Sequence, residues 1–119
     1  SDVNHLSGRV SEGKVRTPFG SLDASGLADG AAVDILIRPE ALHLAWAAEG
    51  GHDRRNARIT AARLLGRSTL LHLDMVGIDG EALHLHSRVP KHVAFAEGED
   101  VAVTLDVSQA FVFPRNSAK

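Results

Sequence analysis

Apolar residues recur at every second position over short stretches of this chain, and Gly, Pro or Asp-Gly pairs interrupt each stretch. A period of two marks strands that bury one face and expose the other. The clearest case is VDILIRPEALHL, residues 33–44, where Val33, Ile35 and Ile37 alternate with Asp34, Leu36 and Arg38. Pro39 then ends the pattern: its ring fixes its own φ and biases Arg38 towards an extended backbone. Proline also suits a first helical position, which predicts a brief helical turn over residues 39–42. Leu42, Leu44 and Trp46 follow at strand spacing.

Turns crowd the first third, GRVSEGKVRTPFGSLDASGLADG, with glycines at 8, 13, 20, 26 and 30. Val10, Val15 and Leu22 are its inward-facing residues, and Pro18 with Gly20 fits a tight turn between two of the pieces. The polar loop 47–56, AAEGGHDRRN, divides the chain into two halves. Beyond it, NARITAARLLGRSTLLHLDMV reads as a strand, a break at Gly66 and a second strand. ITAARLLG is also composed of good helix formers, but the uniformly alternating neighbourhood favours a strand. Asp79-Gly80 is the turn of a hairpin whose return strand is EALHLHSRV. EGED, VAVTLDV and FVFP then read as a turn and two strands. The sum is an all-β chain of about eight short strands, hence a small barrel or sandwich.

At 119 residues this is a single domain, 1–119, able to bury its own core. A net charge of -2 and 4% aromatic residues give no basic groove and few rings for stacking on bases, which speaks against nucleic acid. Cysteine is absent, which removes disulfides, thiolate zinc and a thiol nucleophile. No apolar run approaches the roughly 20 residues of a membrane-spanning helix, and no basic segment followed by an apolar stretch suggests a signal peptide. The chain starts with Ser and closes on RNSAK, as expected of a piece of a longer protein, with Ser1 left by processing.

Candidate chemistry is sparse. There is no Gly-x-x-x-x-Gly-Lys-Ser/Thr phosphate loop, no acidic Walker B strand and no Gly-x-Ser-x-Gly elbow. Asp53, Glu97, Glu99 and Asp100 read as solvating loop acids. Among seven histidines, His84 and His86 share one face of a strand, and His72 and Asp74 share one face of the strand before it. If Leu71, Leu73, Met75, Leu83 and Leu85 point inward, all four polar residues stand on the outer surface of one hairpin. Such a set suits a transition metal; it also suits an ordinary solvated face. His5, His43, His52 and His92 lie near turns and read as incidental. Trp46, the single tryptophan, reads as a core or interface anchor.

Four stretches in order carry a family resemblance: SDVNHLSGRV with its Asn and Gly, GKVRTPFGSLD, VDILIRPEALHL with its Ile-Arg-Pro-Glu, and ARITAARLLGRSTLLHLDM leading to GEDVAVTLDVSQAFVFP. Together they resemble the transport-associated OB (TOBE-type) domain carried by ATP-binding subunits of bacterial ABC importers, most like those for ferric iron. The resemblance implies an OB-like β-barrel. It makes Arg38, Pro39 and Glu40 the signature corner, with Arg38 and Glu40 free to bond backbone groups left by the strand end. It implies a non-catalytic regulatory and dimerisation role, with Trp46, Phe111 and Phe113 as interface candidates. ATP and Mg belong to an ATPase domain ahead of residue 1, and this chain needs no cofactor. Partners are then a second copy, that ATPase domain and, through it, inner-membrane permease subunits, at the cytoplasmic face. Two other readings stay open: a sensor of a small ligand or metal on the same fold, and an OB-type nucleic-acid binder.

Overall fold

The computed structural model describes residues 3–47 and 56–115. Most of the loop 47–56, with His52 and Asp53, and the residues beyond Arg115 lie outside them. Among these described residues, ten strands form two five-stranded antiparallel sheets. The first has the order β10-β4-β1-β2-β3 and the second β5-β9-β6-β7-β8. Their inward faces close on one core that includes Leu6, Val10, Val15, Ile35, Leu73 and Val103. The architecture is the expected all-β, OB-like one, with ten strands in place of about eight.

β1 (Asn4–Ser11) turns Asn4, Leu6 and Val10 inward and His5, Ser7, Arg9 and Ser11 outward. Glu12 and Gly13, at φ 53° and 74°, connect it to β2 (Lys14–Thr17). Two positive φ values in a row suit the right-handed twist of a two-residue hairpin. Gly8 is required for a different reason: a Cβ there would stand 2.5 Å from Cγ2 of Val15, which folds across it. β3 (Gly20–Asp23) follows a turn closed by the Thr17 hydroxyl, which donates to Gly20 O at 2.7 Å and accepts from Phe19 N at 3.0 Å.

β4 (Ala32–Ile37) is the spine of the first sheet, paired with β1 on one side and β10 (Ala110–Pro114) on the other. Val33, Ile35 and Ile37 are wholly buried. The Arg-Pro-Glu corner follows as a 3₁₀ turn, Pro39–Ala41, leading into β5 (Leu42–Trp46). A second 3₁₀ turn, Val107–Gln109, leads from β9 (Asp100–Leu105) into β10. The two corners lie side by side: Arg38 N donates to Gln109 O at 3.3 Å and Asp106 N to Ala41 O at 2.8 Å. Since β4 pairs with β10 and β5 with β9, one antiparallel ribbon passes from sheet to sheet and bends at this double corner.

This explains Arg-Pro-Glu, with one correction. The corner's backbone groups are taken by other backbone groups, and the Arg38 side chain makes no capping bond. Its guanidinium lies over the Phe111 ring instead, 5.8 Å from the centroid. Pro39 and Ala41 are buried, so the motif is a packed bend.

In the second sheet, β6 (Asn56–Leu65) is a strand throughout; the helical alternative loses. It carries a bulge: Ile59 pairs with Leu73 but Ala61 with His72, leaving Thr60 over. β7 (Ser68–Val76) and β8 (Ala82–Pro90) form the long hairpin, whose turn closes through Gly77 N to Glu81 O at 2.7 Å, with Gly80 at φ 81°.

Two buried polar side chains close the seam between β8 and the first half of the chain. Asn4 donates through Nδ2 to His86 O at 2.9 Å and to Ile37 O at 3.2 Å, and its Oδ1 accepts from His86 N at 2.7 Å. Ser87, fully buried, donates to Leu42 O at 2.7 Å. A buried amide satisfied on both ends specifies a position more sharply than apolar contact does.

Candidate functional site

Alternation along β7 and β8 decides which side chains face out. Leu71, Leu73, Met75 and Leu85 are buried and Leu83 is partly buried. His72, Asp74, His84 and His86 therefore stand on the opposite face, as the spacing predicts. The register places His72 across from His86 and Asp74 across from His84. Both backbone groups of His86 are turned to Asn4, so His72 and His86 form a non-hydrogen-bonded pair, in which side chains stand closer. Their ring centroids are 4.3 Å apart.

The contacts on this face form a chain. Asp74 Oδ1 lies 2.6 Å from His84 Nδ1, and His84 Nε2 lies 3.2 Å from His72 Nδ1. A carboxylate only accepts, so His84 donates from Nδ1 to Asp74, and in the neutral ring this leaves the Nε2 lone pair facing His72. One ring nitrogen from each of His72, His84 and His86 lies within 4.8 Å of the others. Asp74 also stands across from Arg58, which stands across from Asp100. The outer face thus carries a row of Asp100, Arg58, Asp74 and His84 across four strands. Arg58 Nε donates to Asp100 at 3.0 Å, and that bond raises the guanidinium's pKa.

The first sheet has a contrasting feature at its rim. β10 is an end strand, and its free edge faces the other end strand, β3, across an open cleft of about 460 Å³. Ser21, Leu22 and Asp23 form one wall; Val107 and Ala110–Phe113 form the other. Phe111 and Phe113 are 40% and 48% exposed, and with Val3, Leu36 and Arg38 they line a second, apolar hollow of about 330 Å³. Of the three interface candidates, Phe111 and Phe113 are thus brought together. Trp46 lies on the second sheet, 59% exposed and tilted against Phe95 at 4.7 Å between centroids. It is no core anchor.

Several participants escaped the sequence. His5 is not incidental: its Nε2 lies 2.9 Å from Asp34 Oδ1, which also accepts from Arg115 at 2.9 Å. The His5 bond first, then the Arg115 bond, hold the Asp34 carboxyl below its usual pKa. Leu70 shares the outward parity of His72 yet is buried, standing across from Arg63 and Arg88, whose methylene stems can flank it. A buried clasp by Asn4 could not be read from a residue so often found in turns.

The TOBE domain family profile matches residues 35–113, about two thirds of the chain. No curated protein matches the chain in sequence. Among solved structures, the chain is similar to the cytoplasmic molybdate-binding protein ModG in its molybdate-bound form. The TM-score is 0.64 at 13% identity, covering 94% of this chain and 96% of that one. At that identity the likeness establishes the fold. No helix among the described residues is long and apolar enough to cross a membrane.

Proposed function

The chain belongs to the TOBE domain family, and on that premise we propose that it is a regulatory domain that pairs with a second copy of itself through β10. A TOBE domain is a binding module and does no covalent chemistry. Its place in this reading is behind the ATPase domain of an ABC importer subunit, at the cytoplasmic face of the membrane, where that ATPase domain meets the permease. Two nucleotide-binding motors must meet and part in each cycle, and a pairing domain raises the effective concentration at which they meet again. A ferric-iron cargo rests on the sequence resemblance alone.

The observation that carries pairing is the open slot between β3 and β10. A free strand edge offers unpaired N–H and C=O groups to any strand of matching length. Here the edge is flanked by two exposed phenylalanines and faces another end strand rather than open solvent. A strand from a second copy would fill the slot by strand addition, and two copies related by a twofold axis would do so reciprocally. Sedimentation equilibrium of the chain over a range of concentrations tests this. We expect a dimer at low micromolar concentration that Phe111→Glu with Phe113→Glu converts to monomer. A wild-type chain that stays monomeric at high micromolar concentration overturns it.

A second reading has a specific observation behind it. Arg9, Arg16 and Arg115 with Ser7 and Ser11 line a cleft of about 440 Å³ beside the β7–β8 turn, where the three guanidiniums outnumber the carboxylates of Asp79 and Glu81 and offer donors to an oxyanion. The fold relative binds molybdate. Molybdate that raises the melting temperature of this chain, and fails to do so after Arg16→Ala, would establish a sensor.

A further inference from the structure

From the geometry of the β7–β8 face we infer a binding site for a borderline first-row divalent cation such as Zn²⁺, held by His72, His84 and His86 and oriented by Asp74. The inference is independent of pairing through β10, which lies on the other sheet.

The donor set is the first argument. Three imidazoles from two adjacent strands bring one nitrogen each within 4.8 Å of the others. Nitrogen donors select zinc, copper, nickel and cobalt over the hard, oxygen-seeking magnesium and calcium. Three protein ligands leave a further coordination position, and His84 is exposed, so that position opens to water.

Spacing is the second. Two nitrogens bound to one tetrahedral ion at about 2.0–2.1 Å stand about 3.3 Å apart. Nδ1 of His72 and Nε2 of His84 are 3.2 Å apart. The same separation serves a hydrogen bond, with the His72 Nδ1–H donating to His84 Nε2. An incoming cation replaces that single shared proton at a nitrogen–nitrogen spacing already right for it, and the two rings turn so that both lone pairs meet at the ion. His86 needs a side-chain rotation to close the remaining distance, on a backbone that does not move because Asn4 holds its N–H and C=O.

Orientation is the third. Asp74 accepts from the far nitrogen of His84 at 2.6 Å. A carboxylate behind a ligating imidazole fixes its tautomer, aims its lone pair and raises its basicity. Hydrogen-bond chemistry alone does not need this combination of an oriented lone pair and two neighbouring imidazoles on the outward face.

Isothermal titration calorimetry with Zn²⁺ on the whole chain is the test, with Mg²⁺ as the hard-cation control. We expect one Zn²⁺ per chain and no Mg²⁺ signal. Asp74→Asn should weaken Zn²⁺ about 10–100-fold, the usual cost of losing an outer partner. His84→Ala should weaken it more than Asp74→Asn, and His86→Ala likewise. These outward residues leave the core intact, and circular dichroism melts of each apo variant check that it does. Zn²⁺ should also shift the imidazole NMR signals of His72, His84 and His86 and spare His5 and His43. Absence of saturable Zn²⁺ binding overturns the site, as does binding that survives His84→Ala within about threefold or that shifts His5 or His43 instead.

Discussion

The two sheets are built alike and dressed differently. Each has five antiparallel strands, and each contributes an inward row of branched aliphatic side chains: Val33, Ile35 and Ile37 from one, Leu71, Leu73, Val101 and Val103 from the other. Each outward face carries a His–Asp pair, His5 with Asp34 and His84 with Asp74, and the rest of the two faces differs. Around β4 and β10 the outward residues include Leu36, Phe111 and Phe113, beside Val3. On β7 and β8 they are His72, Asp74, His84 and His86. The edges differ as well. β10 faces an open slot, whereas β8 has its edge groups at His86 taken by the Asn4 amide. The inward rows specify one barrel and are interchangeable in chemistry. The outward rows and the edges are where the two halves acquire separate business.

That contrast can be broken in graded steps. The largest effect belongs to the inward row: Leu73→Ala should cost about 2–5 kcal/mol in urea unfolding, while His72→Ala, its outward neighbour, should stay within about 0.5 kcal/mol. Comparable losses from both would mean that the two faces are not divided as described. Next comes the clasped edge. Asn4→Ala strips three hydrogen bonds and removes the partner of the part-buried backbone N–H and C=O of His86, for about 1–3 kcal/mol. An unchanged midpoint would mean that water replaces the amide without penalty.

The smallest effect concerns charge at the rim of the first sheet. The Asp34 carboxyl is held below its ordinary value of 3.8, first by the His5 bond and then by Arg115. A depressed folded pKa contributes stability that is present above the ordinary value and is lost as pH falls through the folded one. Melting temperatures of wild type and Asp34→Asn should therefore converge in that acid range and differ slightly above it. Because the group is exposed, the difference is small. Parallel curves across the whole range would remove the pair from the account.

Much of this was legible in the residue order, for reasons that can be stated. Val33, Ile35 and Ile37 needed only their alternation. Asp79-Gly80 located a hairpin, and its return strand fixed the parity that sets four polar residues on one face. Pro39 announced a corner because its ring admits little else. What stayed hidden depends on partners distant in sequence. The slot between β3 and β10 arises from how far the first sheet curls, which no local pattern encodes. Trp46 obeyed strand spacing, yet its position at the end of an edge strand left it on Phe95 rather than in the core. His5 looked incidental until β4 delivered Asp34 beside it. The Arg38 side chain was expected on the backbone and lies over Phe111, because the second 3₁₀ turn reached those backbone groups first.

The Asn4 clasp also has a consequence in time. Its two ends lie 82 positions apart, whereas the β1–β2 and β7–β8 hairpins close over a few residues each. Contacts of such separation come late, after local pairings have shortened the effective loop between them. A bond absent from the folding barrier acts on the way out rather than on the way in. In stopped-flow chevrons Asn4→Ala should therefore raise the unfolding limb and leave the refolding limb nearly in place. Asn4 would then govern how long each barrel lasts, and with it the interval over which His86 is held ready.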